Sequence, residues 1–320
     1  MPRLHVLHYQ CVEHNTLLSA HPNDVHASSP TEICRYIRKA LQSLFGDSAV
    51  AELLLCHLVS TTYARPANNP ICSMPMNFIG VSDSRMIIRM LKALLPKVHV
   101  IEITPELLSE QLLMPVMDHE KGRLRQSVLQ VSDGTVLVVD ETKLSGNRIR
   151  VNGHAERNVT AFQNLVVSQR LDYDYVYYQL PLLCDVNVLI LSRGASVMAQ
   201  VPFVVAVPPQ YTDGIDPVTE LLSNHRSRLI EIRRFLLDCR SNVQYVSIQE
   251  EMNKIITDDF VEMRRRSSLA GDPGAALHRL LTLSRLEAAI EAKTEVDREC
   301  WKKALFLDSE REEGLKMIKN

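Results

Sequence analysis

Two adjacent acidic residues at the end of an apolar segment are the part of this sequence best suited to chemistry. The apolar residues 136–139 follow Thr135 and run directly into Asp140, Glu141 and Thr142. In P-loop nucleotide hydrolases, a strand that ends in acidic residues positions Mg²⁺ and the attacking water. The pattern therefore predicts one half of a nucleotide site at the end of a buried strand.

The other half of such a site is missing from the sequence. A phosphate-binding loop has the pattern Gly-x-x-x-x-Gly-Lys-Ser/Thr, in which backbone N–H groups surround the phosphates and the lysine reaches them. No glycine among the 320 residues is followed directly by lysine. Because phosphoryl transfer depends on positioning and charge stabilisation, the missing lysine argues against turnover. We expect a binding protein with no catalytic residue, no cofactor and no metal. An ATPase with an unconventional phosphate loop at residues 79–84 is the alternative.

A serine on the next predicted strand completes the candidate remnant of a nucleotide site, which consists of Asp140, Glu141 and Ser192. Ser192 and Arg193 follow the apolar segment 186–191, at the position where helicase-like ATPases place a polar sensor. A simpler interpretation is structural, with the acidic pair capping a strand end and Ser192 lying nearby through topology alone. We favour the structural interpretation over residual nucleotide contact, and both over catalysis.

Three other groups of residues invite a chemical interpretation. His5, His8 and Cys11 are spaced three apart, but zinc needs three or four convergent ligands, so a partly buried strand is the better prediction. The basic run 264–266 precedes Ser267 and Ser268, where the cations can complement a helix end, phosphorylation can act, or the run can serve in nuclear import; we favour the helix end. Tyrosines alternate with other residues over 173–178, which favours packing or a protein interface over stacking on nucleic acid.

Composition narrows the class of protein. Hydrophobic residues make up 46% of the chain and charged residues 23%, which is enough for a sizeable core. The formal net charge of −2 argues against a protein that grips nucleic acid by itself. Seven cysteines without a C-x-x-C pair indicate reduced thiols. With no apolar leader and no membrane-length apolar run, we expect a soluble intracellular protein.

The pattern of elements divides the chain into three parts. Residues 1–70 are predicted to be a helical segment, in which Ser29–Glu32 forms a capping box and Gly46 ends the first helix. Residues 71–210 alternate strands and helices, which predicts an α/β domain with a parallel sheet. The predicted strands are 76–81, 98–103, 136–139, 186–191 and 201–207, the last at an edge. Residues 211–320 are predicted to be a helical lid, with helices starting near Asp216, Ser247 and Asp272 and a fourth around Trp301. This layout is that of a degenerate AAA+-like module without a P-loop.

Five blocks of sequence carry a resemblance to a known family. They are GDSAVAELLLCHLVSTTYARP at 46–66, TVLVVDET at 135–142, NVTAFQNLVVSQRLDYDYVYYQ at 158–179, CDVNVLILSRG at 184–194 and DDFVEMR at 258–264. In order and over nearly the whole chain they resemble the mini-chromosome maintenance complex-binding protein family. The resemblance implies that the chain corresponds to the C-terminal portion of the family's usual length.

The resemblance also carries functional expectations. It implies a nuclear, non-catalytic factor that binds subunits of the hexameric replicative helicase, the minichromosome maintenance complex, and promotes its removal from chromatin. Roles in DNA replication, the cell cycle and sister chromatid cohesion follow from the same resemblance. The implied partners are helicase subunits, with chromatin reached only through them. The resemblance implies neither direct, sequence-specific binding of nucleic acid nor association with a membrane.

Overall fold

A computed structural model describes residues 29–144, 153–208, 218–219, 226–265 and 272–319. The predicted strand around His5, His8 and Cys11, the helix start at Asp216 and the serines Ser267 and Ser268 lie outside these residues. Among the described residues, no helix combines the length and the apolar character that crossing a bilayer requires.

Within the described residues, two helices precede the first strand, and the first of them begins and ends as the sequence predicts. Helix α1 spans Pro30–Phe45; Ser29 and Glu32 form a reciprocal capping box at its start, and Gly46 adopts a left-handed conformation at its end. Helix α2 spans Ser48–Val59, and the Asp47 carboxylate accepts hydrogen bonds from the backbone of Ala49 and Val50. Every residue from Ala49 to Val59 is buried. A helix whose residues are apolar on nearly all sides belongs in the interior, which is where α2 lies.

A five-stranded parallel sheet forms the centre of the molecule, in the order β2-β5-β8-β1-β9. This confirms the predicted α/β class and the edge position of the last strand. The strands are β1 Met76–Ile79, β2 Val98–Glu102, β5 Thr135–Asp140, β8 Val186–Leu191 and β9 Phe203–Ala206. All six residues of β5 and of β8 are buried, as expected for strands covered on both faces.

Helices cover both faces of this sheet. Val138 and Leu189 belong to one hydrophobic cluster, whereas Leu137 and Val188 belong to a second, because successive side chains of a strand point to opposite faces. The first cluster extends from Cys34 to Leu307 in sequence and joins the helices at both ends of the chain. In the part of the chain that the structure describes, the remaining helices are α3 Arg85–Leu94, α4 Pro105–Glu110, α5 Gly153–Ser168, α6 Arg226–Asn242, α7 Glu250–Arg265, α8 Pro273–Ile290 and α9 Arg298–Lys319. The same part contains 3₁₀ turns at Pro66–Asn68, Thr142–Leu144 and Val243–Tyr245.

The start of α7 differs from the prediction. The capping box at Ser247–Glu250 would have started this helix at residue 248, but α7 starts at Glu250. The backbone of Ser247 instead pairs with the segment before α9, since its N–H donates to the Thr294 carbonyl and its carbonyl accepts from Val296 N, both at 2.9 Å. A tertiary backbone pairing has taken precedence over the local capping signal.

A buried ion cluster connects α1 and α2 to α8 and α9. The Lys303 ammonium lies 2.6 Å from a carboxylate oxygen of Glu52 and 2.6 Å from one of Glu287. Arg38 makes a bidentate contact with Glu52 at 2.7 and 2.8 Å. Two cations therefore compensate two buried carboxylates, which is the condition under which buried charges are tolerated.

A smaller four-stranded sheet, which the sequence analysis did not foresee, has the order β4-β3-β6-β7. Its strands are β3 Val116–Asp118, β4 Arg123–Arg125, β6 Arg170–Asp174 and β7 Gln179–Leu183. Two antiparallel hairpins, β3–β4 and β6–β7, meet through a parallel contact between β3 and β6. In contrast to the large sheet, all five residues of β7 are exposed.

Candidate functional site

The three predicted site residues lie at the carboxyl edge of the large sheet, where ligands bind in open α/β folds. Asp140 ends β5, Glu141 follows it, and Ser192 follows the neighbouring strand β8. Strand β1 is on the other side of β8, so the loop that leaves β1 reaches the same edge. The topology therefore brings together the elements that a nucleotide site would need.

The Asp140 carboxylate is buried and fully engaged by neighbouring residues. Its Oδ1 atom accepts hydrogen bonds from the backbone N–H of Thr142 at 2.9 Å and from the Thr142 hydroxyl at 2.6 Å. Its Oδ2 atom accepts a bond from the Ser84 hydroxyl at 2.5 Å. Ser84 stands at the start of α3, where its side chain makes no capping bond. Asp140 therefore fastens the β1–α3 loop to the end of β5.

The Glu141 carboxylate organises the loop that follows β8. Its Oε1 atom accepts from the Ser196 hydroxyl at 2.7 Å and from the Met198 backbone at 3.2 Å, and its Oε2 atom accepts from the Val197 backbone at 2.9 Å. Burial raises the pKa of Glu141, and the charge of Asp140 acts in the same direction, while these hydrogen bonds oppose the rise. Three donors from consecutive residues make this a loop-capping carboxylate.

Ser192 is also directed inwards. Its hydroxyl lies 2.8 Å from Asn77 Oδ1 and 2.7 Å from the Gly194 carbonyl, and either oxygen can accept its single proton. The side chain is buried, whereas that of Arg193 is exposed. Ser192 thus links β8 to β1 at the sheet edge.

The β1–α3 loop, where the alternative hypothesis placed a phosphate cradle, uses its own polar groups. The N–H groups of Gly80 and Val81 donate to the carbonyls of Arg193 and Ser192 at 3.3 and 3.1 Å. Gly80 has a φ of +85°, and a Cβ at this position would approach the Val207 carbonyl to 3.1 Å. These two amides point at the neighbouring strand and its loop.

The N-terminus of α3 is occupied by a carboxylate from its own loop. Asp83 accepts the backbone N–H of Arg85 at 3.0 Å and binds the Arg85 guanidinium at 2.7 to 3.0 Å. The Arg85 contact lowers the pKa of Asp83, which keeps this carboxylate ionised. An anion is favourable at a helix N-terminus, and here the chain supplies that anion itself.

The chemical capacity of this edge follows from these contacts. Asp83, Asp140 and Glu141 place three carboxylates around it, and each already accepts at least two internal hydrogen bonds. Within the described ranges, no three His, Cys, Asp or Glu side chains converge where a metal ion could bind. The arrangement stabilises loops, and its carboxylates would repel a triphosphate.

Sequence reasoning missed the most exposed apolar feature of the described chain, the β6–β7 hairpin, which comprises residues 170–183. Its tip and second strand carry large exposed hydrophobic side chains, namely Val176, Tyr177, Tyr178, Leu180, Leu182 and Leu183. The alternating tyrosines are the available signal in the sequence, and they predict packing or a protein interface without distinguishing the two. The absence of any charge from residue 176 to residue 183 would have strengthened the second interpretation.

Comparison with known proteins places the chain in a family. The family described as "Mini-chromosome maintenance replisome factor" matches residues 1–315. Proteins named mini-chromosome maintenance complex-binding protein from Salmo salar, Gallus gallus and Drosophila melanogaster are 31%, 31% and 32% identical to it, over 96%, 100% and 99% of the chain. The matched regions cover 51%, 52% and 54% of these relatives, so the chain spans about half the length of the curated relatives it matches. The match over nearly the whole chain shows that this protein belongs to the mini-chromosome maintenance replisome factor family.

Proposed function

We propose that this protein is a non-catalytic binding factor for the minichromosome maintenance complex, the hexameric replicative helicase. One structural observation carries the proposal: Asp140, Glu141 and Ser192 are occupied by hydrogen bonds within the chain. A site for Mg-ATP needs carboxylates and amides that are free to meet phosphate and metal. The names of the relatives, which describe them as binding this complex, support the choice of partner.

The mode of action that we propose is imitation of a helicase subunit. Strand β8 is inserted between β1 and β5, and this order together with the acidic strand end supports an AAA+-like module. AAA+ subunits assemble into rings through head-to-tail interfaces, in which one subunit meets the nucleotide edge of the next. A subunit-like module without a phosphate loop would occupy one interface and offer no ATP-dependent contact to the next subunit. It would thereby promote opening of the ring and release of the helicase from chromatin.

The cellular role that follows is regulation of DNA replication in the nucleus. Removal of the helicase from chromatin would link the protein to the cell cycle and to sister chromatid cohesion. Its association with chromatin would run through the helicase subunits.

The test is direct binding to purified subunits. The 320-residue chain is mixed with each mini-chromosome maintenance subunit in turn, and the mixtures are analysed by size-exclusion chromatography with light scattering. We expect a stable complex with at least one subunit. Absence of any complex, with the chain shown to be folded by circular dichroism, would overturn the proposal.

Nucleotide binding separates the proposal from the ATPase alternative. We expect no binding of Mg-ATP in a titration calorimeter up to concentrations on the order of 1 mM, the upper end of the range of KM values typical of enzymes. Micromolar binding that is lost in Glu141→Gln and retained in the exposed control Phe306→Ser would favour the ATPase instead.

A further inference from the structure

The tip and second strand of the β6–β7 hairpin are exposed and uncharged over eight consecutive residues. Residues 176–183 are all exposed, and none of them is Asp, Glu, Lys or Arg. The side chain of Tyr177 is 88% exposed and that of Leu183 is 64% exposed. Monomeric proteins rarely leave a contiguous apolar surface in water, and where they do it usually marks an interaction site. The hairpin therefore requires a partner to account for it.

The hairpin is held in a fixed shape from its base to its tip. Leu171 is buried in the second hydrophobic cluster, and the hydroxyl of Tyr173 accepts a hydrogen bond from Gln130 at 2.8 Å. At the tip, Tyr175 and Tyr178 stack with their ring centroids 5.0 Å apart. Val176 has a φ of +71°, a conformation that a β-branched residue rarely adopts. The apolar side chains are thus presented on a preorganised support, which lowers the cost of binding.

Strand β7 lies at the edge of the small sheet, and its hydrogen-bond register determines whether a partner strand could pair with it. Tyr175 N donates to the Tyr178 carbonyl and Cys184 N donates to the Gln169 carbonyl, both at 3.0 Å. Because bonded and non-bonded pairs alternate in an antiparallel ladder, the Asp172–Pro181 pair is non-bonded, and the backbone of Pro181 faces the open edge. Proline has no N–H to offer there, so the centre of the edge cannot continue a ladder. Docking must use the side chains of the hairpin.

The charges around the hairpin select the chemistry of the partner. Three carboxylates on the hairpin or next to it are paired: Asp172 with Arg170, Asp174 with Arg157, and Asp185 with Arg240. The other basic residues of the small sheet, Arg123 and Arg125, lie on β4 at the opposite edge. Binding of nucleic acid requires unpaired cations along the phosphate path. An uncharged apolar surface with neutralised surroundings instead complements an apolar protein surface.

A cleft beside the tip offers a place for one partner side chain. Its volume is about 440 Å³. Its lining combines the apolar and aromatic side chains of Val116, Val176, Tyr177 and Tyr178 with the polar ones of Arg157, Asp174 and Gln179. Interfaces concentrate their binding energy where an aromatic or aliphatic anchor fills such a depression.

We propose that the exposed stretch 176–183 of the β6–β7 hairpin is the docking surface for an apolar patch on a subunit of the replicative helicase. The contact is made by side chains, without addition of a strand. This inference rests on the function proposed above and adds the surface through which it is carried out.

The experiment compares two double variants, each of which replaces two exposed apolar side chains by serine. Tyr177→Ser with Leu183→Ser alters the hairpin, and Phe306→Ser with Met317→Ser alters α9, where these side chains are 56% and 78% exposed. Affinity for the helicase subunit that binds the unaltered chain is measured by calorimetry. We expect the hairpin variant to lose about 100-fold in affinity, the loss expected for two interface anchors, and the α9 variant to change less than about threefold. Thermal unfolding of both variants should match that of the unaltered chain.

Each other outcome has a defined meaning. Equal affinity of the hairpin variant and the unaltered chain would overturn the docking surface and leave the proposed function standing. Failure of the unaltered chain to bind any subunit would overturn both. Two further measurements test other occupants, sedimentation equilibrium of the chain alone and titration with a fluorescent single-stranded oligonucleotide. Self-association or salt-sensitive oligonucleotide binding that disappears only in the hairpin variant would also overturn the proposal.

Discussion

The carboxyl edge of the large sheet buries polar side chains, whereas the β6–β7 hairpin of the small sheet exposes apolar ones. At the sheet edge, Asp140 and Glu141 are buried, and each accepts three hydrogen bonds from neighbouring residues. At the hairpin, Tyr177 and Leu183 lie in water. Buried polar groups destabilise the fold unless they are hydrogen-bonded, and the two carboxylates at the sheet edge already use their hydrogen-bonding capacity within the chain. The exposed apolar side chains of the hairpin make few contacts within the described chain, such as that of Tyr177 with the His119 ring, and this difference identifies the hairpin as the region available to a partner.

The largest loss of stability is expected in the buried ion cluster, where Lys303 pairs with two carboxylates. Replacing Lys303 by Ala leaves the carboxylates of Glu52 and Glu287 without their shared cation. We expect a loss of about 3–4 kcal/mol in the free energy of unfolding above pH 7, where Glu287 is ionised and would lose the closer of its two cations. Urea denaturation measures this loss, with Lys302→Ala, an exposed neighbour, as the control. A loss no larger than that of the control would show that the ion cluster is dispensable.

The second effect concerns the sheet edge. Asp140→Ala leaves the Ser84 hydroxyl and both Thr142 donors without an acceptor. We expect about 2–3 kcal/mol of destabilisation, and less for Asp140→Asn, whose amide oxygen still accepts. The measurement is the midpoint of urea unfolding. A stable Asp140→Ala protein would contradict the structural role of this carboxylate and reopen a role in ligand binding.

The third effect is a dependence of stability on pH. Burial, and then the charge of Glu52, raise the pKa of Glu287 from 4.5 to about 7. Between pH 4.5 and about pH 7, Glu287 keeps its proton in the folded state but has released it in the unfolded state. The free energy of unfolding therefore falls as the pH rises through this range. Burial lowers the pKa of His57 from 6.5 to about 4, so its contribution falls as the pH drops through that range and opposes the trend of Glu287.

The variant Glu287→Gln isolates this contribution from that of His57. Between about pH 5 and pH 7.5, the unaltered chain should lose about 1–2 kcal/mol relative to Glu287→Gln, in line with the free energy of a shift of one unit or more. Parallel unfolding free energies at the two pH values would show that Glu287 titrates normally.

The smallest effect is expected at the hairpin. Leu183→Ser should change the unfolding free energy by less than about 0.5 kcal/mol, because exposed substitutions rarely matter for folding. Leu171→Ser, on the adjacent strand and buried, should cost about 2–3 kcal/mol. Similar costs for the two leucines, measured by thermal or urea unfolding, would mean that Leu183 packs within the chain and is not free for a partner.

The large sheet could be predicted from the sequence, and the reason is physical. Strands covered on both faces must be apolar throughout, so segments 136–139 and 186–191 stand out in the sequence. The small sheet could not be predicted, because β3 and β4 have three residues each and β7 contains Pro181, which weakens any strand pattern.

The positions of the site residues were predictable, but their hydrogen-bond partners were not. Strand order brought Asp140 and Ser192 to one edge, as the alternation of elements suggests. The groups that bind the acidic pair come from distant loops, since Ser84 lies 56 residues before Asp140 and Ser196 lies 55 residues after Glu141. A local pattern carries no information about contacts of that separation. The domain boundaries at about residues 70 and 210 stay a prediction.

The complete burial of α2 has a consequence for how the protein is made. Lys303, which neutralises Glu52 of α2, lies 251 residues further along the chain. At synthesis rates of about 5–20 residues per second, α2 leaves the ribosome on the order of tens of seconds before α8 and α9 exist to enclose it. During that interval this largely apolar helix has no interior to enter. We therefore expect α2 to be a principal chaperone-binding segment of the nascent polypeptide.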